Sequence, residues 1–117
     1  MSRDWTFFLE DILDCSSHVE SFTKGMTLES FRDNRLVFDA VVRNLEIIGE
    51  AAKNLPEHAI AAMPDIEWSK AAGFRDVIAH QYFGLDINIV WDVVSNKIPV
   101  ITRSASDLLE KIRHKKI

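Results

Sequence analysis

Apolar residues recur at intervals of three and four along most of this chain, and this spacing limits the fold more than any other feature of the sequence. The first stripe follows Asp4, a candidate N-cap, and consists of Trp5, Phe8, Ile12, Cys15, Val19 and Phe22. Four long segments share the pattern, and no stretch of useful length alternates with the period of two that is typical of strands. The spacing predicts an all-α, up-down bundle of four long helices with short accessory helices.

Glycine, proline and capping residues predict where these helices begin and end. Lys24-Gly25 closes the first helix, and Thr27 caps a short helix through Phe31. A second long helix runs from Asn34 to about Leu55. Its main apolar face contains Leu36, Val41, Leu45, Ile48, Ala52 and Leu55. Further apolar residues widen that face, so this helix is expected to lie centrally in the bundle or at a subunit interface.

The second half of the chain predicts two more main helices. A short helix lies between Pro56 and Met63, and the third main helix runs from about Trp68 to Ala79. A loop is predicted from Gln81 to Leu85, followed by a last helix from Asp86 to about Ile112. Pro99 should kink this helix, because it removes one backbone donor and crowds the carbonyl four residues earlier.

Length and charge restrict the classes of function. The 117 residues predict a single domain over residues 1–117. The chain has 18 Asp and Glu against 14 Lys and Arg, a formal net charge of −4. Nonspecific affinity for nucleic acid comes from many basic residues that neutralise phosphates, so this balance argues against binding by overall charge. A role on RNA or DNA would have to depend on a local site.

The single cysteine indicates the expected compartment. Cys15 has no partner for an intrachain disulfide or a zinc site, and we interpret it as a small core residue. A reducing cytoplasm is the expected location, because no secretory signal is visible and the longest apolar runs are only a few residues. No membrane-spanning segment is expected.

Residues 73–84 contain the most informative group of polar side chains, namely Arg75, His80 and Tyr82. Arg can grip a phosphate with its planar guanidinium, and His can exchange a proton near neutral pH. Together they suit metal-free phosphodiester cleavage, in which an RNA 2′-hydroxyl attacks the adjacent phosphorus.

Helix geometry complicates this interpretation. Asp76 and His80 share a helix face, so Asp76 could orient the imidazole, whereas Arg75 and His80 point about 140° apart on an ideal helix. Arg75 and His80 can converge only if the helix unwinds near Ala79 or if a second subunit completes the site, and we favour the second subunit. The alternative is structural: Arg75 and Asp76 as surface ion-pair residues, and His80 as a C-terminal helix residue.

Residues 75–82 match the R-x4-H-x-Y signature of the HEPN superfamily, and the chain resembles the HepT toxins in particular. The likeness includes the acidic residue directly after the arginine. It extends to residues 44–53, to residues 64–68 before the motif, and to residues 82–86 after it. The resemblance therefore covers nearly the whole chain.

This resemblance implies a HEPN helical bundle that forms a homodimer and cuts RNA in one composite site, without a metal or other cofactor. Arg75 would hold and polarise the scissile phosphate, His80 would act as general acid or base, and Asp76 would support them. In HepT-type systems, which are type VII toxin–antitoxin pairs, the tyrosine corresponding to Tyr82 is modified with AMP by a minimal nucleotidyltransferase antitoxin. The added bulk and negative charge would exclude RNA phosphate.

Two alternatives remain open at this level. Glu46 and Glu50 lie four residues apart, but neither is followed three residues later by the His that a di-iron bundle needs. We expect an ion-paired face there instead, with Glu50 paired to Lys53. In functional terms, the chain could also be a non-enzymatic scaffold partner of a nucleotidyltransferase, and the acidic net charge slightly favours that reading.

Overall fold

The computed structural model describes residues 4–81 and 84–115, and within these ranges the regular secondary structure is entirely helical. The helices, in chain order, are α1 (Trp5–Thr23), α2 (Leu28–Arg32), α3 (Arg35–Ala52), α4 (Glu57–Ala61), α5 (Trp68–Gln81), α6 (Ile87–Asp92), a π-helical turn (Val93–Lys97) and α7 (Ile98–Lys115). The prediction of an all-α fold is confirmed.

Local capping chemistry explains the first boundaries. The Asp4 carboxylate accepts a hydrogen bond from the Thr6 N–H at 3.0 Å. Gly25 has a φ of +77°, a left-handed conformation that glycine adopts without steric cost, and it turns the chain after α1. Thr27 and Ser30 then form a reciprocal capping box at the start of α2. The predicted ends of these two helices are correct to within a residue or two.

The central position of α3 was one of the two options that its wide apolar surface predicted. Asn34 caps the helix by accepting a hydrogen bond from the Val37 N–H at 3.1 Å, and α3 packs against both α1 and α5. Its core residues are Phe38, Val41, Val42, Leu45, Ile48, Ala51 and Ala52. Leu36 was assigned to the apolar face, but this was wrong, because its side chain is 81% exposed in the first turn.

Helix α5 is longer than predicted. It begins at Trp68, whose buried indole donates a hydrogen bond to the Met63 carbonyl at 3.3 Å, and continues through Gln81. The predicted loop from Gln81 to Leu85 is therefore wrong at Gln81. Ile78 is the most buried of the described side chains in the later part of the helix. The segment that carries Arg75 and His80 is thus one uninterrupted helix packed on α3.

The last predicted helix divides into α6, the π turn and α7. The Ile98 N–H bonds to the Val93 carbonyl, five residues back, and Pro99 follows immediately. The irregularity expected from Pro99 therefore takes the form of a π turn placed before it. On α7, Leu109 is buried, whereas its neighbour Leu108 is only partly covered.

Two further predictions concern the interior. Cys15 is buried, as expected for a core residue, and burial is the main reason that the pKa of its thiol is raised. Across the described ranges, no helix combines the length and the apolar character needed to span a membrane.

Candidate functional site

Arg75 lies where α5 packs closely against Gly49 of α3. Its Nε is 3.1 Å from Oε2 of Glu50, a residue near the end of α3. The Arg75 side chain is 39% exposed and that of Glu50 is 58% exposed, so the pair lies at the surface and is partly covered by the rest of the protein. The ion pair therefore joins two helices at the position of the predicted phosphate-binding arginine.

Asp76 extends this pair into a network. Its Oδ1 lies 3.4 Å from Nη1 of Arg75 and 3.3 Å from Nζ of Lys53. The predicted pairing of Glu50 with Lys53 is wrong, because Glu50 contacts Arg75 and Lys53 contacts Asp76. The wider expectation of an ion-paired face is confirmed, since Glu46 also forms a salt bridge, with Arg43 at 2.7 Å.

The network keeps the Asp76 carboxylate ionised. The hydrogen bond from Lys53 is the main reason that the pKa of Asp76 is lowered, and the charge of Lys53 and the hydrogen bond from Arg75 act in the same direction. At neutral pH Asp76 therefore accepts hydrogen bonds from two cationic side chains, those of Lys53 and Arg75. Because these bonds go to Arg75 and Lys53, the support of His80 by Asp76 stays a prediction.

Gly49 allows the close approach of the two helices. A Cβ atom at this position would lie 2.7 Å from Cβ of Arg75 and 2.9 Å from the carbonyl oxygen of Ala71. Both distances are shorter than van der Waals contact, and the second involves backbone. Any side chain larger than hydrogen would push α5 away from α3 at the level of Arg75.

His80 lies in the last turn of α5 with its side chain exposed. Because the helix continues through Gln81, the predicted alternative of unwinding near Ala79 is excluded. Arg75 and His80 of one chain consequently point about 140° apart. One chain presents both groups but does not bring them together.

Tyr82, the predicted site of modification, lies outside the described residues. It follows Gln81, the last residue of α5.

An open cleft of about 260 Å³ adjoins Arg75 and is lined by Arg43, Glu46, Ile47, Glu50 and Arg75. Two arginines face this cleft, and each is bonded to a glutamate of α3. Arg43 was not singled out from the sequence, although its spacing of three residues from Glu46 is a recognisable helical pair. The cleft is therefore polar and contains both positive and negative groups.

A second cleft, of about 310 Å³, is mostly apolar and lies between α3, α5, the π turn and α7. It contains neither Arg75 nor His80, so the polar cleft is the better candidate for phosphate chemistry. Within residues 4–81 and 84–115, no group of three or more His, Cys, Asp or Glu side chains is placed to hold a metal ion.

Comparison with known proteins finds one family over most of the chain. A family model described as "Ribonuclease HepT-like" matches residues 12–108. The chain is 38% identical over 113 residues to a Thermococcus cleftensis protein named "Probable ribonuclease HepT", which covers 97% of this chain and 99% of that protein.

Two further relatives carry RNase names. A Methanocaldococcus jannaschii protein named a "Putative RNase" is 39% identical over 110 residues, 94% of this chain and 91% of its own. A Caldanaerobacter subterraneus protein, also named a "Putative RNase", is 37% identical over 105 residues, 89% of this chain and 93% of its own. No solved structure matches the chain.

Proposed function

Because the chain belongs to the HepT-like ribonuclease family, we propose that it is the toxin of a type VII toxin–antitoxin pair and cuts RNA, without a metal ion, in a site shared by two copies. Family membership makes the protein a ribonuclease. The proposal adds the roles of the residues, the composite site and the control by a partner.

The observation that carries the proposal is the position of Arg75 and His80 on one uninterrupted helix. Arg75 is anchored against α3, and His80 is exposed in the last turn. Since the two side chains of one chain diverge by about 140°, a second copy has to bring its His80 to the phosphate that Arg75 holds. A two-fold axis beside α5 would create two equivalent sites, each with Arg75 of one copy and His80 of the other.

The residues would act as follows. The Arg75 guanidinium binds the non-bridging oxygens of the scissile phosphate and stabilises the negative charge that develops there. His80 of the second copy takes the proton of the 2′-hydroxyl as its oxygen attacks phosphorus. The bond to the 5′ oxygen breaks, and the same His80 gives this proton to the leaving 5′ oxygen. The products are a 2′,3′-cyclic phosphate and a 5′-hydroxyl.

The test uses the purified protein and RNA of mixed sequence in EDTA. The wild type should cleave, whereas Arg75→Ala and His80→Ala should each lose about 10²-fold or more of the rate. Arg103→Ala and His18→Ala, at exposed positions on α7 and α1, serve as controls and should cleave normally. Equal cleavage by the wild type and His80→Ala would disprove the assignment. RNA binding without cleavage would instead support the scaffold function.

Regulation is the second part of the proposal. A minimal nucleotidyltransferase antitoxin transfers AMP from ATP to the Tyr82 hydroxyl, two residues beyond His80, and releases pyrophosphate. The added phosphate repels RNA. Co-expression with a minimal nucleotidyltransferase antitoxin should increase the mass of the protein by whole AMP units, located on Tyr82. Tyr82→Phe should remain unmodified and active. An AMP found on another residue would contradict this assignment.

A further inference from the structure

We infer that Gly49 and Glu50 together position Arg75 for phosphate binding, with Gly49 setting the distance between two helices and Glu50 orienting the guanidinium. The inference rests on the proposed function and deepens it. Neither residue is assigned a contact with RNA, so both are positioning residues rather than catalytic ones.

The contacts of Arg75 show how its head group is held. Nε lies 3.1 Å from Glu50, and Nη1 lies at the longer distance of 3.4 Å from Asp76. The ion pairs that Arg75 forms with the described residues do not include Nη2. A guanidinium is planar, so a bond at Nε fixes the direction of its remaining donors. Glu50 therefore fixes the guanidinium at Nε and directs Nη2 toward a phosphate.

The backbone explains why Glu50 can reach this edge. Because Gly49 has no side chain, Cβ of Arg75 can lie in the space that a Cβ at position 49 would need. The adjacent Glu50 is then close enough to contact Nε. Two consecutive residues of α3 thus act on the same arginine, one through the absence of a side chain and one through a carboxylate.

The charge of Glu50 makes a positioning role testable. A carboxylate beside a phosphate site weakens the attraction of RNA, so it is unfavourable for binding alone. Its benefit must come from the geometry of Arg75 in the transition state. Removing the charge should therefore have different effects on substrate binding and on the chemical step.

The experiment is steady-state cleavage of RNA by Glu50→Gln, which retains the size of the side chain and removes its charge. The kcat should fall about tenfold, because misplacement of a catalytic group by a fraction of an ångström has effects of this order, while KM should stay the same or decrease. Glu67→Gln is the matched control. Glu67 forms a salt bridge with Lys70 at 2.8 Å and is 59% exposed, close to the 58% of Glu50. This control should change neither constant.

A double mutant separates positioning from a general structural effect. If Glu50 acts through Arg75, then Glu50→Gln should cause no further loss in an Arg75→Ala background. An unchanged kcat in Glu50→Gln, or an equal loss in both backgrounds, would overturn the inference while leaving the proposed ribonuclease site intact.

A measurement without cleavage distinguishes the two proposals. The NMR signal of the Arg75 Nε–H proton can be assigned because it disappears in Arg75→Lys. This proton should exchange slowly with solvent in the wild type and faster in Glu50→Gln. If RNA is not cleaved, the proposed function fails, yet slow exchange would still show that Glu50 holds Arg75. If the wild-type proton exchanges as fast as that of the exposed Arg103, the inference is wrong whatever the cleavage assay gives.

Discussion

At the scale of single residues, the absence of one methyl group at Gly49 determines how α3 and α5 pack. A Cβ there would lie 2.7 Å from Cβ of Arg75, whereas a Cβ at Gly73 would meet no atom within 4 Å. Both glycines are inside helices. The same substitution should therefore have opposite effects at the two positions.

We expect Gly49→Ala to lower the free energy of unfolding by about 1–3 kcal/mol, because the overlap with Arg75 and Ala71 exceeds the gain in helix propensity. Gly73→Ala, the control, should raise it by about 0.5–1 kcal/mol, since the site is open and alanine favours the helix. Urea denaturation of the three proteins measures both changes. A Gly49→Ala protein as stable as Gly73→Ala would contradict the close helix approach.

The titration of Asp76 tests the ion-pair network. The pKa of Asp76 should lie below 3.8 in the wild type. Lys53→Met should raise the pKa toward that value, because the hydrogen bond from Lys53 is the main cause of the shift. Carboxyl resonances followed by NMR between pH 2 and pH 6 give the values.

The lowered pKa also predicts the sign of the pH dependence. A carboxyl whose pKa falls on folding stabilises the folded state above its unfolded pKa, and this contribution is lost as the pH falls through the folded value. The stability difference between the wild type and Asp76→Asn should therefore be constant at neutral pH and decrease below about pH 4. A difference that grows on acidification would contradict the network.

At the scale of helices, the π turn before Pro99 is the clearest departure from regular structure. A proline in the middle of an α-helix leaves a carbonyl without its donor and clashes with it. Here Pro99 is the second residue of α7, and the Ile98 N–H has already shifted to the Val93 carbonyl. The π turn thus makes Pro99 resemble a residue in the first turn of a helix, where proline is tolerated.

For this reason Pro99→Ala should change the free energy of unfolding by less than about 1 kcal/mol, rather than the ~3 kcal/mol typical of a proline inside a helix. The substitution should not remove the π turn, because reverting to a regular α-helix would rotate α6 relative to α7 by about 100°. That rotation would separate Trp91 from Phe31, whose ring centroids are 5.0 Å apart. Urea denaturation checks the first expectation, and an increase near 3 kcal/mol would contradict it.

At the scale of the whole molecule, the net charge of −4 and the mixed charges around Arg75 give little general attraction for RNA. Two copies brought together would place Arg75 of one copy beside His80 of the other. The proposed homodimer would therefore supply the converging groups that one chain lacks.

Mixing two inactive variants tests the composite site. Arg75→Ala and His80→Ala chains, unfolded together and refolded at equal amounts, should form mixed dimers in which one of the two sites has both wild-type groups. About half the dimers are mixed, so about a quarter of the wild-type rate should return. Each variant refolded alone should stay inactive. No recovery, with mixed dimers present by mass spectrometry, would show that Arg75 and His80 do not act across the dimer in this way.

Much of the fold follows from short-range signals. Asp4, Thr27 and Asn34 cap helices through bonds to residues two or three positions away, and these contacts depend on neighbouring sequence only. Arg75 and Asp76 form the surface ion pair that the structural alternative expected, and their roles in RNA cleavage stay a prediction. Glu50 was assigned to the wrong cation, because the nearest cation in the sequence is not the nearest in space.

By itself the sequence determined the helical class, most helix boundaries and the family, because periodicity, capping residues and the motif around Arg75 are all local features. Only the tertiary structure decided that Glu50 holds Arg75, that Gly49 allows this contact, that α5 continues past His80 and that a π turn precedes Pro99. These features depend on how α3 lies against α5 and how α6 and α7 pack on the bundle, and the distances between separate helices are set by packing of the whole chain.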